Sequence, residues 1–478
     1  MDLDEVLDEV KHFGKFQATN YLLLSVAILF AAMFEASFIF TAGDLDYRCR
    51  IPECDGAEAT FQPEWLQNAV PFHQQDSRSV PWRCRRFAPR NFSALSENSQ
   101  RNYSSCSPES FDNSTVIRCD EWIYDGEETT ILREWDLTCE ENLWKLTMVG
   151  TVNNIGQFVG LSIVGVVSDR DGAGGVKIQS LSSNYDYFVL RDRPSSDRLI
   201  PESVRWLLTK KRTKEASDII LNAAKKNGVR LSERVMSEIR SSLEHKDSED
   251  SLEGSGSPWK EALGQVFRSK TLLIRLIVCI VCWVSITFVY FGLTVNSVSV
   301  GSNKYTSFIL VALIELPAYV ATYLSLKKFG RKISLCSTLI ISGIPCTAFA
   351  LLPPGLEWVR LLLFLAGKFA ITISYTVMYV YNAELFPTQL RHSLLGACVM
   401  FGQIGSILAP QTPLLNEVME SLPLLMFGVM SVFSGLLALY FPETLNVKLP
   451  DTVEEAENIG KHIRRMNDDS EYEAQEHI

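Results

Sequence analysis

Residues 272–293 read LLIRLIVCIVCWVSITFVYFGL, an apolar run broken by a single charge, Arg275. As an α-helix this stretch is about 33 Å long, the hydrocarbon thickness of a bilayer. A soluble helix of that length needs a polar face, and this one has none. Outward from it the same pattern recurs at 18–41, 146–167, 307–326, 333–352, 358–381, 394–415 and 422–440. Averaged over 478 residues, 47 % hydrophobic and 21 % charged, the composition resembles that of a soluble protein. Its segregation into long uncharged and long charged blocks instead predicts an all-α polytopic membrane protein with eight spans.

Orientation follows from charge. Lys327, Lys328, Arg331 and Lys332 crowd one connection, whereas 352–356 and 416–421 carry no Lys or Arg. The positive-inside rule makes the basic connection cytoplasmic, and counting back from it leaves both termini inside. The N-terminus lacks a basic stretch followed by a small-residue cleavage site, so the first apolar run is expected to remain as a helix. The segment 42–145 then faces outward. It holds Cys49, Cys54, Cys84, Cys106, Cys119 and Cys139, an even set that reads as a disulfide framework with fifteen possible connectivities. It also holds three N-x-S/T triplets, at Asn91, Asn102 and Asn113, which read as glycosylation acceptors. Cys279, Cys282, Cys336, Cys346 and Cys398 lie inside spans and read as small buried hydrophobes.

The stretch 169–271 is expected in the cytoplasm, with amphipathic helices over 203–227 and 231–245 and a polar linker over 246–258. The tail over 442–478 is acidic, and after Pro450 its composition is that of a partly disordered segment. A net charge of −11 argues against a nucleic-acid partner. No nucleophile–base–acid order and no phosphate loop occurs, and Gly172 to Gly175 lack the Lys-Ser/Thr of a P-loop. The reading is therefore of a non-enzyme without metal or cofactor.

Several strings resemble signatures of the organic cation/anion transporters, solute carrier family 22 of the major facilitator superfamily. They are Pro201-Glu-Ser-Val-Arg-Trp-Leu-Leu208, Asn382-Ala-Glu-Leu-Phe-Pro-Thr-Gln-Leu-Arg391 and Tyr440-Phe-Pro-Glu-Thr444, together with the six-cysteine loop after the first helix. The resemblance implies twelve helices in two six-helix halves, with substrate near the midplane and alternating access. The departure lies between Gly165-Val-Val-Ser-Asp-Arg170 and Pro201, where the family has helices three to six. Some thirty residues cannot cross a bilayer four times. The expected architecture is a cytoplasmic N-terminus (1–17), a first-half remnant (18–168), a cytoplasmic loop (169–271), a second six-helix half (272–441) and the tail. A splice isoform, a gene remnant or a faulty gene model would each leave such a gap.

Ionisable residues inside spans are costly unless partnered or facing a cavity. On that ground Glu35, Glu315 and Lys368 are candidate substrate residues, with helix packing, hydration or snorkelling as the plainer alternatives. Glu315 stands two residues before Pro317 in a family-like Glu-x-Pro element, and Lys368 follows Gly367. Tyr290, Phe291 and Tyr375 offer rings for an organic cation, or simply packing. Gln403 stands where the resemblance places Asp in cation carriers and Arg in anion or carnitine carriers, so polar or zwitterionic solutes are as admissible as cations. Asp169, Arg170, Glu202, Arg205, Arg331, Glu384, Arg391 and Glu443 resemble the superfamily's inner gating charges, the last four paired as Glu384 with Arg391 and Arg331 with Glu443. Lys327 and Lys328 replace the family's Asp-Arg, which implies an impaired inner gate. The expected function is transport of small organic cations or zwitterions such as carnitine-like amines across the plasma membrane. Its rivals are a non-transporting isoform, alone or assembled with a full-length relative or itself, and an adhesion or receptor ectodomain on a membrane anchor.

Overall fold

The computed structural model describes residues 9–10, 14–56, 59–75, 78–90, 106–171, 212–234 and most of 264–459, with a few positions between 201 and 237. Its chain divides into two compact units, residues 1–37 with 153–270 and residues 38–152 with 271–478.

The first apolar run forms α1 (Lys15–Thr41). The loop that follows is not helical. It carries β1 (Tyr47–Cys49), the short α2 (Leu66–Ala69), β2 (Phe72–Gln75), β3 (Arg78–Pro81), β4 (Arg85–Pro89), β5 (Phe111–Arg118), β6 (Trp122–Tyr124) and the short α3 (Ile131–Glu134). These strands make three two-stranded antiparallel sheets, β1 with β6, β2 with β3 and β4 with β5. The cysteines resolve into Cys49–Cys119, Cys54–Cys106 and Cys84–Cys139. Cys49–Cys119 and Cys54–Cys106 close loops of 70 and 52 residues around a small core of Ile51, Leu66, Val70 and Phe111, while Cys84–Cys139 closes 55 residues, with Cys84 against a second cluster of Leu45, Tyr47, Leu132 and Leu146. A core this small needs such cross-links to hold an extracellular loop together. Asn113 is exposed on β5, while Asn91 and Asn102 lie outside the described residues.

One ion pair organises this loop from within. Arg48 and Asp55 are each 2 % exposed and meet at 2.7 Å. The guanidinium also donates to the carbonyls of Cys49 at 2.8 Å, Thr60 at 2.5 Å and Phe61 at 2.8 Å, so every face of the buried cation is answered.

Helix α4 (Glu140–Asp171) contains the expected span 146–167 and is not among the six helices of the described residues that are long and apolar enough to cross a membrane. Helix α5 (Thr213–Asn227) is amphipathic and ends on Gly228 at φ 68°, a left-handed cap that glycine adopts without penalty. Asn227 fastens it within its own unit, accepting from the Phe16 amide at 2.9 Å and donating to the Val10 carbonyl at 3.0 Å. Of the expected helix over 231–245 only positions up to 237 fall among the described residues, and the linker over 246–258 lies outside them.

The remaining spans form α6 (Lys270–Asn296), α7 (Lys304–Lys328), α8 (Arg331–Leu351), α9 (Glu357–Leu385), α10 (Arg391–Leu408) and α11 (Leu422–Ala438). Six helices among the described residues are long and apolar enough to cross a membrane, and α11 adds a shorter apolar one. Asn303 starts α7 by accepting from the amides of Tyr305 at 3.0 Å and Thr306 at 3.2 Å. Without a hydrophobic drive between helices in lipid, small residues set the closest approaches. A Cβ built on Gly343 would lie 2.8 Å from the Gly428 carbonyl oxygen, so α8 and α11 touch backbone to backbone there. In the tail Thr452 caps α12 (Val453–Asn458), and Arg275 of α6 reads the carbonyls of Ala456 at 2.7 Å and Ile459 at 3.1 Å. Of the partly disordered tail expected after Pro450, the first residues are ordered as α12, and 460–478 lie outside the described residues.

Breaking a buried ion pair by removing one partner costs roughly 3–5 kcal/mol, against about 0–1 kcal/mol for an exposed pair. Arg48→Ala is therefore expected to abolish surface delivery of the chain. Arg50→Ala, which loses only the exposed pair with Glu121, should leave surface biotinylation unchanged.

Candidate functional site

Four of the residues singled out in the sequence converge in one place. Lys368 of α9 is 0 % exposed, and its ammonium group lies 2.9 Å from the Glu315 carboxylate of α7, which is 22 % exposed. The Tyr290 hydroxyl of α6 donates to the same Glu315 oxygen at 2.8 Å. Lys368 also donates to the Thr294 hydroxyl at 2.7 Å and lies 3.4 Å from the centroid of the Tyr290 ring. Tyr375, two turns further along α9, stacks on Tyr290 at 4.9 Å between centroids with the planes 23° apart.

The local sequence explains the meeting. Gly367 lets α9 approach α8 closely, since a Cβ there would fall 2.8 Å from the Cys346 sulfur. Tyr290 and Thr294 are four residues apart and so share a face of α6, which presents a ring and a hydroxyl to one ammonium group. The aromatic wall continues beyond them. Tyr379 meets Tyr375 at 5.4 Å, and Trp283 meets Tyr379 at 4.5 Å and Tyr375 at 5.8 Å. Trp283, Thr294 and Tyr379 escaped the sequence reading. The signal was there: Trp283 lies seven residues before Tyr290, and Tyr379 four after Tyr375, both helical repeats of residues already chosen.

The other candidates lie apart from this cluster. The Gln403 amide oxygen accepts from the Ser406 hydroxyl at 2.7 Å, a bond within α10, and Gln403 has no hydrogen bond to Lys368 or Glu315. Its neighbour Gly402 faces Trp283, so that helix borders the aromatic wall. Glu35 belongs to the other unit, where it is half-buried and hydrogen-bonds Gln157 of α4.

Among the inner charges, the pairs suggested by the resemblance are not the ones observed. Arg331 pairs with Glu384 through Nε at 2.9 Å and Nη2 at 2.9 Å. Glu443 instead caps α8, accepting from the amides of Arg331 at 2.9 Å and Lys332 at 3.2 Å. Gly330, at φ 83°, makes that possible, because a Cβ there would sit 2.7 Å from the carboxylate. The Thr444 hydroxyl completes the set by donating to Glu384 at 2.6 Å. Among the described residues the Arg391 Nε and Nη2 atoms are buried without a hydrogen-bond partner. Side chains of Asp169 and Arg170, and all of Glu202 and Arg205, lie outside the described residues.

At the opposite end, elements on either side of the cysteine-rich loop meet the second group of helices. Glu128 accepts from Lys304 at 2.6 and 2.7 Å and from the Tyr305 hydroxyl at 3.0 Å, and the Lys304 bond holds its carboxyl below the usual range. Phe40 stacks on Tyr305 at 5.6 Å and meets Phe308 edge-on at 4.9 Å. Gln411 donates to Thr151 of α4 at 2.7 Å and accepts from Thr147 at 3.1 Å.

The family description "Sugar (and other) transporter" matches residues 198–455, more than half of the chain. Relatives include solute carrier family 22 member 21 of Mus musculus, 26 % identical with 98 % of this chain and 95 % of that protein covered. The organic cation/carnitine transporter 2 of Homo sapiens is 27 % identical, with 95 % and 94 % covered. An organic cation transporter protein of Drosophila melanogaster is 27 % identical, with 96 % and 95 % covered. The alignment to the mouse protein runs over 550 positions although this chain has 478 residues, so at least 72 positions hold no residue of this chain. A partially occluded inward-open xylose transporter XylE from E. coli aligns with TM-score 0.38 and 18 % identity, over 66 % of this chain and 67 % of that one.

If Lys368 is held by its counter-charge, Lys368→Met should destabilise the protein by roughly 3 kcal/mol, because Glu315 then keeps a poorly compensated charge. The double change with Glu315→Gln should cost less than the two single changes added together. Thermal unfolding of the four detergent-purified proteins gives this cycle directly.

Proposed function

The chain belongs to the sugar (and other) transporter family and, within the major facilitator superfamily, to its organic cation/anion transporter branch, and on that footing we propose that it carries small organic cations or zwitterions of the carnitine type by alternating access. The observation that carries the proposal is the Glu315–Lys368 pair set against Tyr290 and Tyr375. An ammonium group approaching the partly exposed Glu315 competes with Lys368 for one carboxylate and finds aromatic faces alongside, the surroundings that favour quaternary amines. A carboxylate on the same solute would then meet the lysine it displaces. Opposite charges side by side thus suit a zwitterion at least as well as a simple cation. The similarity to organic cation/carnitine transporters of mouse and human supports this class.

Neutral Gln403 tunes the reading, since it adds no charge of either sign to the wall next to Trp283. The boundaries proposed from the sequence place residues 272–441 as the second six-helix half and 18–168 as what remains of the first, with helices three to six among the positions this chain lacks. The plasma membrane, with both termini cytoplasmic, is the location that agrees with an outward-facing, cysteine-rich loop. In this reading Glu128 with Lys304, Phe40 with Tyr305, and Thr151 with Gln411 close the outer side, while Arg331, Glu384 and Glu443 brace the inner end of the second half.

The test is uptake of labelled organic cations, anions and carnitine-like zwitterions into cells expressing the chain, with surface biotinylation as the control. The expected outcome is saturable uptake of a quaternary amine, reduced at least about tenfold, or 1.4 kcal/mol, by Glu315→Gln. Gln403→Arg should shift preference toward anions. Absence of uptake by protein present at the surface would sink the carrier reading.

A further inference from the structure

The turn between α7 and α8 runs Lys327-Lys328-Phe329-Gly330-Arg331-Lys332, four cations without an acid in six residues. Among the described residues, one of those charges has an acidic partner. Arg331 is held by Glu384, and Glu443 spends its oxygens on backbone amides. Among the described residues the ammonium groups of Lys327, Lys328 and Lys332 form neither a hydrogen bond nor an ion pair. Phe329 sits among them, 52 % exposed, with Lys328 5.3 Å from its ring.

The level of this turn is fixed by the rest of α7. Its first residue, Lys304, is held by Glu128 of the extracellular loop, and its 25 residues span about 37 Å, enough to traverse the hydrocarbon core. Ile309, Leu313, Leu316, Val320, Tyr323 and Leu324 form its exposed apolar face, which ends just before Lys327. On α8 the exposed apolar face begins again at Ile333. On the orientation expected from the charge distribution, the three lysines stand at the headgroups of the cytoplasmic leaflet, between two exposed apolar faces.

We propose that this turn is a binding site for anionic lipid headgroups, with Lys327, Lys328 and Lys332 taking the phosphate and carboxylate oxygens and Phe329 seated among the upper acyl carbons. The internal network does not compete for these lysines, since Glu384 and Glu443 are already satisfied. Each lysine near an anionic surface raises affinity about fivefold, so three together give a preference that neutral lipid cannot match. The proposal does not depend on whether the chain transports.

The experiment is native mass spectrometry of the full chain released from neutral detergent, titrated with phosphatidylserine, with phosphatidylcholine, and with inorganic phosphate as competitor. Wild type is expected to retain phosphatidylserine over phosphatidylcholine, and K327Q/K328Q/K332Q to weaken that binding at least about tenfold. Lys→Arg at the same three positions should preserve it, which separates lost charge from misfolding. Equal phosphatidylserine retention by the triple Gln variant would overturn the proposal. So would equal retention of phosphatidylcholine by wild type, or displacement of lipid by phosphate at a concentration where matched chloride has no effect. That last result would assign the lysines to a soluble anion.

Discussion

A lysine ammonium group with no solvent exposure in an apolar helix bundle is the constraint from which the second group of helices takes its arrangement. Left alone, Lys368 would be neutralised or the packing around it would give way. Glu315 supplies the counter-charge from α7, while Thr294 and the Tyr290 ring supply oxygen and π-density from α6. Three helices are thereby registered against one atom. Tyr290 serves twice, as a donor to Glu315 and as the platform for Lys368, so that its ring position sets where Tyr375 can stack. The polar cluster and the aromatic wall are consequently one object, and a change at any member is felt at the others.

Much of this was legible in the sequence because a bilayer enforces simple rules. Seven of the eight expected spans lie on α-helices to within two residues, and 394–415 runs from α10 into a 3-10 stretch over Ala409–Glu417, since in lipid the backbone has no other way to satisfy its own polar groups. The six-cysteine loop was legible for the same kind of reason, as an oxidised segment kept apart from the spans. What was not legible depends on side-chain direction. The loop's strands are three to eight residues long, too short for alternation to stand out, and their register is set by cross-links whose pairing no spacing determines. The inner charges misled because the resemblance supplied residues but not geometry. With Gly330 open beneath it, the Glu443 carboxylate reaches the amides of α8, and Arg331 turns to Glu384 instead. Trp283 was passed over as an uncharged residue in an apolar run, although its spacing from Tyr290 placed it on the same face.

The contacts between the cysteine-rich loop with its flanking helices and the later helices are few. Helix α4 and the last residues of α1 reach the later helices within the same unit near the loop, through Phe40, Thr147 and Thr151. These are small, uncharged contacts. Glu128 and Lys304 add one partly exposed ion pair, worth at most about 1 kcal/mol. The contacts at this end are therefore weak terms, each of which can be made and broken without unfolding anything.

The inner end is built differently, and the difference bears on where a two-state balance can reside. Arg331, Glu384, Glu443 and Thr444 all belong to the same unit and bind α8, α9 and the segment after α11 to one another. A contact made equally in two conformations shifts no equilibrium between them. As long as these four residues keep each other, they brace a rigid body rather than latch one body to another. Under the proposed carrier function, conformational bias must come from contacts that join the cysteine-rich loop and its flanking helices to the later helices: Glu128 with Lys304, Phe40 with Tyr305, and Thr151 with Gln411.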